Sequence, residues 1–139
     1  DLDTRLDLDS VVVRQTRPRE SDGRWGHAVE IQAGARLFGT KARFENNQGG
    51  SLWVFGSGSS AAAQDVWIGP TLELDCEHPA TPCAFDALGH GVGAYRGGEV
   101  QLLRFRLIEA AGCGAHVASG GQLDFEFGAL SGHDAAVCL

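Results

Sequence analysis

The segment Glu99–Glu109, Glu-Val-Gln-Leu-Leu-Arg-Phe-Arg-Leu-Ile-Glu, constrains the fold more than any other stretch. Leu103, Phe105 and Leu107 share one parity and Arg104 and Arg106 the other, a two-residue period that suits a strand with one buried face and that a helix cannot use. Gln122–Gly128 repeats the device, with Leu123, Phe125 and Phe127 on one side and Asp124 and Glu126 on the other. These six apolar residues are the expected centre of the core.

Such strands need partners, and the rest of the chain reads as a supply of them. Leu2–Val13 alternates, His27–Ala33 places Val29 and Ile31 on one face, and Leu37–Glu45 turns Phe38, Ala42 and Phe44 inward. Ser51–Phe55, Asp65–Ile68, Thr71–Asp75, Ala115–Ser119 and Ala135–Cys138 are further strand-like runs. Arg17–Gly23, Asn46–Gly50 and Gly69-Pro70 carry turn chemistry. Gly56–Ala63 reads as a small-residue loop and Gly89–Gly98 as a glycine-rich connection, and no internal repeat or inter-domain linker is visible.

A chain of 139 residues is expected to form one domain, residues 1–139, that buries roughly 70% of its unfolded surface. Twenty glycines and the lack of long helix-forming stretches argue for many short strands joined by tight turns. The expected fold is all-β: a two-sheet antiparallel β-sandwich, jelly-roll or immunoglobulin-like, of about nine strands.

A net charge of −7 argues against nucleic acid, whose binding needs clustered Lys and Arg. No apolar run approaches the ~18 residues of a spanning helix, so membrane insertion is not expected. The chain starts at Asp1 and contains no Met, which a cleaved secretory leader explains and other trimming explains equally. Four cysteines point to an oxidising compartment, with local pairing giving Cys76–Cys83 and Cys113–Cys138 out of three connectivities. Chain entropy assigns these links about 2.5 and 3.5 kcal/mol. A zinc set of Cys76, His78, Cys83 and His90 is the weaker alternative, because the six-residue gap between the cysteines exceeds the usual spacing of paired ligands.

A strand pair near the front, then Leu37-Phe38-Gly39-Thr40-Lys41-Ala42-Arg43-Phe44, and later Gly97-Gly98-Glu99-Val100-Gln101-Leu102-Leu103-Arg104-Phe105-Arg106-Leu107, together resemble the layout of bacterial cohesin domains over residues 25–128. That resemblance implies a nine-stranded jelly roll, related in fold to carbohydrate-binding modules, that docks a protein partner in extracellular assemblies without catalysis. It carries no binding residue across.

Candidate chemistry is thin. Gly89-His90-Gly91-Val92-Gly93 lacks the phosphate-loop spacing and a following helix. Ser131, His133 and Asp134 are crowded into four positions, whereas a hydrolytic triad is gathered from separate segments. His27, His90, His116 and His133 are dispersed, and no metal ligand set can be named. Asp1, Asp3, Asp7 and Asp9 hint at structural calcium, but their alternation with Leu2, Leu6 and Leu8 suits an extended strand rather than an oxygen cage. Asp22, Asp65, Glu73 and Asp75 are the other carboxylates considered for it. No cofactor is expected.

The functional expectation is a secreted or cell-surface, non-enzymatic module for protein interaction or assembly, with copies of itself among its partners. Residues 1–13 are either an edge strand of the chain's own domain or a strand donated to a neighbouring copy through Leu2, Leu6, Leu8 and Val12. The first alternative is a carbohydrate-binding module that stacks sugar rings on Trp25 and Trp53. The second is a hydrolase on a jelly-roll scaffold.

Overall fold

A computed structural model describes residues 4–18, 26–72, 89–132 and 134–139. The chain is all-β, with no helix among the described residues, but it is not an antiparallel sandwich: every strand pairing among them is parallel. It winds as a solenoid of five rungs. The first rung holds β1 (Arg5–Asp9), β2 (Val12–Arg14) and β3 (His27–Ile31), and the second β4 (Arg36–Thr40), β5 (Arg43–Glu45), β6 (Asn47–Gln48) and β7 (Gly50–Phe55). The third holds β8 (Ser60–Ile68), β9 (Thr71–Leu72) and β10 (His90–Tyr95), and the fourth β11 (Glu99–Ile108) and β12 (Cys113–Ala118). The last holds β13 (Gln122–Glu126), β14 (Ala129–Ser131) and β15 (Ala135–Cys138).

Three faces result. The first sheet runs β1-β4-β8-β11-β13, and the third runs β3-β7-β10-β12-β15. The second consists of β2, β5, the C-terminal halves of β8 and β11, and β14. The repeat that the sequence concealed is visible in the register. Leu37 pairs with Ala61 and Val100 with Leu123, and the stretch of chain between partners is nearly the same in both. The steps from Leu6 to Leu37 and from Ala61 to Val100 are longer, because the first and third rungs carry extra residues between β2 and β3 and between β9 and β10.

The corners explain why alternation misled the assignment of the core. Ser10, Lys41, Asp65, Arg104 and Phe127 follow the in-register series Asp9, Thr40, Gln64, Leu103 and Glu126, and all five have φ between 52° and 56°. A non-glycine residue in the left-handed region costs energy and persists where the surroundings demand it; here it turns the first sheet into the second. Crossing this corner shifts the phase of alternation. In β11 the inward residues are Val100 and Leu102 before Arg104, then Phe105 and Leu107 after it. Leu103 therefore faces outward. Leu123 and Phe125 are half-buried on the last rung, and Phe127, itself a corner residue, is 82% exposed.

The core is three ladders of stacked side chains. Leu37, Ala61, Val100 and Leu123 stack on the first sheet; Phe44, Ile68, Leu107 and Leu130 on the second; Val29, Leu52, Val92 and Ala115 on the third. Ser60–Ala63, expected in a loop, is strand because its small residues fit beneath the neighbouring rung. His90–Tyr95, expected in a connection, is a central strand whose glycines are required. A Cβ at Gly91 would sit 2.5 Å from the Gly114 carbonyl oxygen, and one at Gly93 would sit 2.4 Å from the Tyr95 ring.

Asn47, fully buried, accepts from the Thr16 backbone N–H and hydroxyl and donates to the Val13 carbonyl, clamping the first two rungs together. Thr71 Oγ1 donates to the Gly89 carbonyl at 2.8 Å, tying together the two points of the core that flank residues 73–88. One disulfide, not the two expected, is present among the described residues: Cys113–Cys138, which ties β12 to β15 with Cα atoms 6.0 Å apart. Cys76 and Cys83 lie outside the described residues.

Candidate functional site: an acidic groove on the first sheet

The outward positions of the first sheet form columns along the solenoid axis. Asp7, Phe38, Ala62, Gln101 and Asp124 make one column, and Asp9, Thr40, Gln64, Leu103 and Glu126 the next. Between them lies a groove of about 560 Å³. Ala62, the smallest side chain of the two outward columns, stands on its middle rung, and Asp7, Asp9, Asp124 and Glu126 stand on its end rungs. Parallel strands lie ~4.8 Å apart, so the carboxylates of the first and last rungs are separated by roughly 19 Å.

The end groups are held. Arg5 makes a bidentate pair with Asp7, its Nη2 donating at 2.7 Å and Nε at 2.9 Å, and its guanidinium lies 4.3 Å from the centre of the Phe38 ring. These hydrogen bonds hold the Asp7 carboxyl below the usual carboxylate range. Thr40 Oγ1 donates to Asp9. Phe38 remains 39% exposed. Asp124 and Glu126 project at the far end, and the amides of Gln64 and Gln101 lie between. The groove offers carboxylate acceptors, amides that both donate and accept, and one accessible ring.

The residues singled out from sequence are distributed otherwise. Trp53 is 1% exposed on the third sheet, where His27 stacks on it at 4.2 Å between ring centres and Phe55, Tyr95 and His90 surround it. It cannot serve as a stacking platform. Trp25 lies outside the described residues, as do Leu2, Asp1, Asp3, Asp22, Glu73, Asp75, His78 and His133. Leu6 and Val12 are 41% and 52% exposed, and Leu8 packs against the core. Leu6 and Leu8 lie on β1, which pairs with β4 of its own chain in register from Arg5–Arg36 to Asp9–Thr40, and Val12 lies on β2, which pairs with β5 through Arg43. Asp65 is engaged by Arg104, whose two nitrogens donate at 2.7 and 2.8 Å.

The dispersed histidines are gathered by the winding. His27 Nδ1 lies 3.0 Å from Glu30 Oε2, and His90 Nδ1 accepts the Cys113 backbone N–H at 2.9 Å. His116 Nδ1 lies 2.7 Å from the Tyr95 hydroxyl, and burial pushes the His116 imidazole below its ordinary pKa. Trp53 Nε1 and His27 Nε2 are buried with no hydrogen-bond partner among the described residues. The cluster fills the outer side of the third sheet; no group of three or more His, Cys, Asp or Glu among the described residues is arranged for a metal ion.

Sequence reasoning missed Phe38, Gln64, Gln101, Asp124 and Glu126 as members of one site. Their signal is phase, since each is an outward residue at one of two neighbouring positions of a rung, and it becomes readable only once the repeat is known. No protein-family model, curated protein or solved structure matches the chain.

Proposed function

We propose that the protein binds an extended, hydroxyl-rich glycan along the first-sheet groove and holds it without cleaving it. The observation that carries this reading is the translational repeat of the groove. Parallel strands place comparable polar positions at each ~4.8 Å step, a surface that suits a polymer with its own repeat better than a compact metabolite. Sugar hydroxyls donate to the carboxylates of Asp9, Asp124 and Glu126 and exchange hydrogen bonds with Gln64 and Gln101. Phe38 supplies an apolar contact for a ring face.

Glycoside hydrolysis requires one carboxylic acid kept protonated to serve the leaving group. Asp7 is displaced in the opposite direction by Arg5, which favours an acceptor role. An extracellular setting is consistent with the Cys113–Cys138 link.

Titration calorimetry and affinity electrophoresis against neutral polysaccharides test the reading. Gln101→Ala combined with Asp124→Ala should weaken binding by about tenfold or more, the loss expected when a few hydrogen bonds of ~1 kcal/mol each are removed. Binding unchanged by that pair, or release of reducing ends during incubation, refutes it. A second reading, assembly by strand addition, is favoured by the outer edge of β1, the end of the first sheet, where Leu6 is 41% exposed. Light scattering of the full chain against one lacking residues 1–10 separates the two.

A further inference from the structure

The second sheet presents a face of opposite character. Its outward column runs Val12, Arg43, Trp67, Arg106 and Ala129 in register across the five rungs. Trp67 is half-buried, and its indole N–H donates to the Gly69 carbonyl at 3.3 Å, which fixes the ring. Arg43 and Arg106 flank it from the neighbouring rungs, their guanidinium carbons 5.6 and 6.0 Å from the ring centre. An aromatic ring between two guanidinium groups holds them by cation–π attraction and spares the entropy of ordering two long side chains on binding. Two strand spacings put the cations roughly 10 Å apart along the axis.

Their charges are unequally committed. Arg43 is paired with Glu45 and Arg106 has no acidic partner among the described residues. Arg14, exposed on β2, adds a third cation to the same face. The groove, by contrast, has Asp7, Asp9, Asp124 and Glu126 along its walls. The first-sheet groove is thus lined by four carboxylates, whereas the second sheet carries a spaced pair of guanidinium groups held by one ring, with Glu45 beside Arg43 and in register with Arg14.

We propose that Arg43, Trp67 and Arg106 form a separate binding site for an acidic polysaccharide, each guanidinium taking a carboxylate or sulfate of a chain that lies along the solenoid axis. Guanidinium forks match the planar geometry of a carboxylate and bind sulfate oxygens by the same charge-assisted hydrogen bonds. Wide spacing of the two cations suits charges carried on separate sugar units. A nucleic acid strand carries a phosphate every ~3.4 Å and requires many neutralising contacts, more than two arginines ~10 Å apart supply.

The test uses the full chain with three probes: alginate for carboxylate, heparin for sulfate, and a neutral polysaccharide as reference. Wild type should bind alginate or heparin with an affinity that falls as NaCl rises, and whichever it prefers identifies the anion. Arg106→Gln and Trp67→Ala should each weaken that binding by about tenfold, the worth of one charge-assisted hydrogen bond or of its loss of preorganisation. Arg106→Lys should recover only part of it, because the ammonium keeps the charge and lacks the fork. The groove pair Gln101→Ala with Asp124→Ala should leave it intact, which separates failure of this site from failure of the glycan groove. Circular dichroism and urea midpoints confirm that the variants are folded.

Wild type indifferent to both acidic probes overturns the proposal, as do folded variants that bind like wild type and an Arg106→Lys protein with full affinity. Tighter binding to anionic lipid vesicles or to single-stranded DNA than to either polysaccharide overturns it as well.

Discussion

Leu107→Ala probes the ladder at its most constrained point. The side chain is 0% exposed and stacks in register between Ile68 of β8 and Leu130 of β14. On the inner side it lies against the third sheet, with its Cδ2 2.9 Å from where a Cβ at residue 91 would stand. Loss of a buried Leu costs about 2–5 kcal/mol, the larger values where the surroundings cannot collapse into the space. Here they cannot, because hydrogen-bond ladders on both sides pin the strands ~4.8 Å apart, so about 4 kcal/mol is expected. Leu130→Ala removes the same atoms from a half-buried position on the last rung, and half of the transfer term gives about 1–2 kcal/mol. With a urea m-value of about 2 kcal/mol/M, the midpoints of the two variants should differ by roughly 1–1.5 M. Far-UV circular dichroism and tryptophan fluorescence, followed together, read both midpoint and slope. Equal losses in the two variants, or a Leu107→Ala loss below the ~2 kcal/mol floor for truncating a buried leucine, refute the stacking order on which the fold description rests.

Three further outcomes follow from particular contacts. Gly50→Ala places a Cβ 1.9 Å from Trp53 Nε1 in a ring that is 1% exposed and has nowhere to move, so thermal unfolding should show a loss at the upper end of the ~1–3 kcal/mol typical of overpacking; an unchanged melting temperature sinks the placement of Trp53. Replacing Cys113 and Cys138 together by Ser opens a loop of 25 residues and should cost ~3.5 kcal/mol by chain entropy, whereas a variant as stable as wild type excludes the bridge. His116, buried against Tyr95, binds a proton less readily folded than unfolded. Its contribution is therefore present above the ordinary imidazole pKa of ~6.5 and is lost as pH falls toward the depressed folded value. Denaturation between about pH 7.5 and 5 should show stability declining, and His116→Asn should flatten that slope; parallel slopes would assign the effect to other groups.

Most of the strands were legible in sequence, with Ser60–Ala63 and His90–Tyr95 among the exceptions, and their arrangement was not. A two-residue period reports that one face is buried but is silent about which strand lies alongside, and a solenoid strand alternates like a sandwich strand. The repeat was hidden for two physical reasons. Extra residues in the first and third rungs break a period that is otherwise nearly constant from rung to rung. Ladder positions also accept any apolar side chain that fills the space, so Leu37 stacks on Ala61 and Leu52 on Val92 without sequence similarity. Turn signals kept better time. Ala33-Gly34, Arg96-Gly97 and Ser119-Gly120 each place two left-handed residues at the same corner, the last two pairs one full rung apart. The groove was illegible because its residues share a face only after winding, and Trp53, attractive for stacking as a tryptophan, was claimed by the third sheet.

The left-handed corners also set the unit by which such a chain can change length. Adding or losing one residue within a strand would carry every later side chain to the opposite face. A whole rung is a different matter: removing Glu99–Gly121 would bring β13 beneath β8 with Ala61 facing Leu123 and Asp65 meeting Phe127 at the corner, since both strands now pair with the same stretch of β11. Duplication of that segment would be equally silent to the backbone. Each such event lengthens or shortens the first-sheet groove and the arginine column together, by ~4.8 Å a step, so the size of polymer a descendant could hold is counted in rungs.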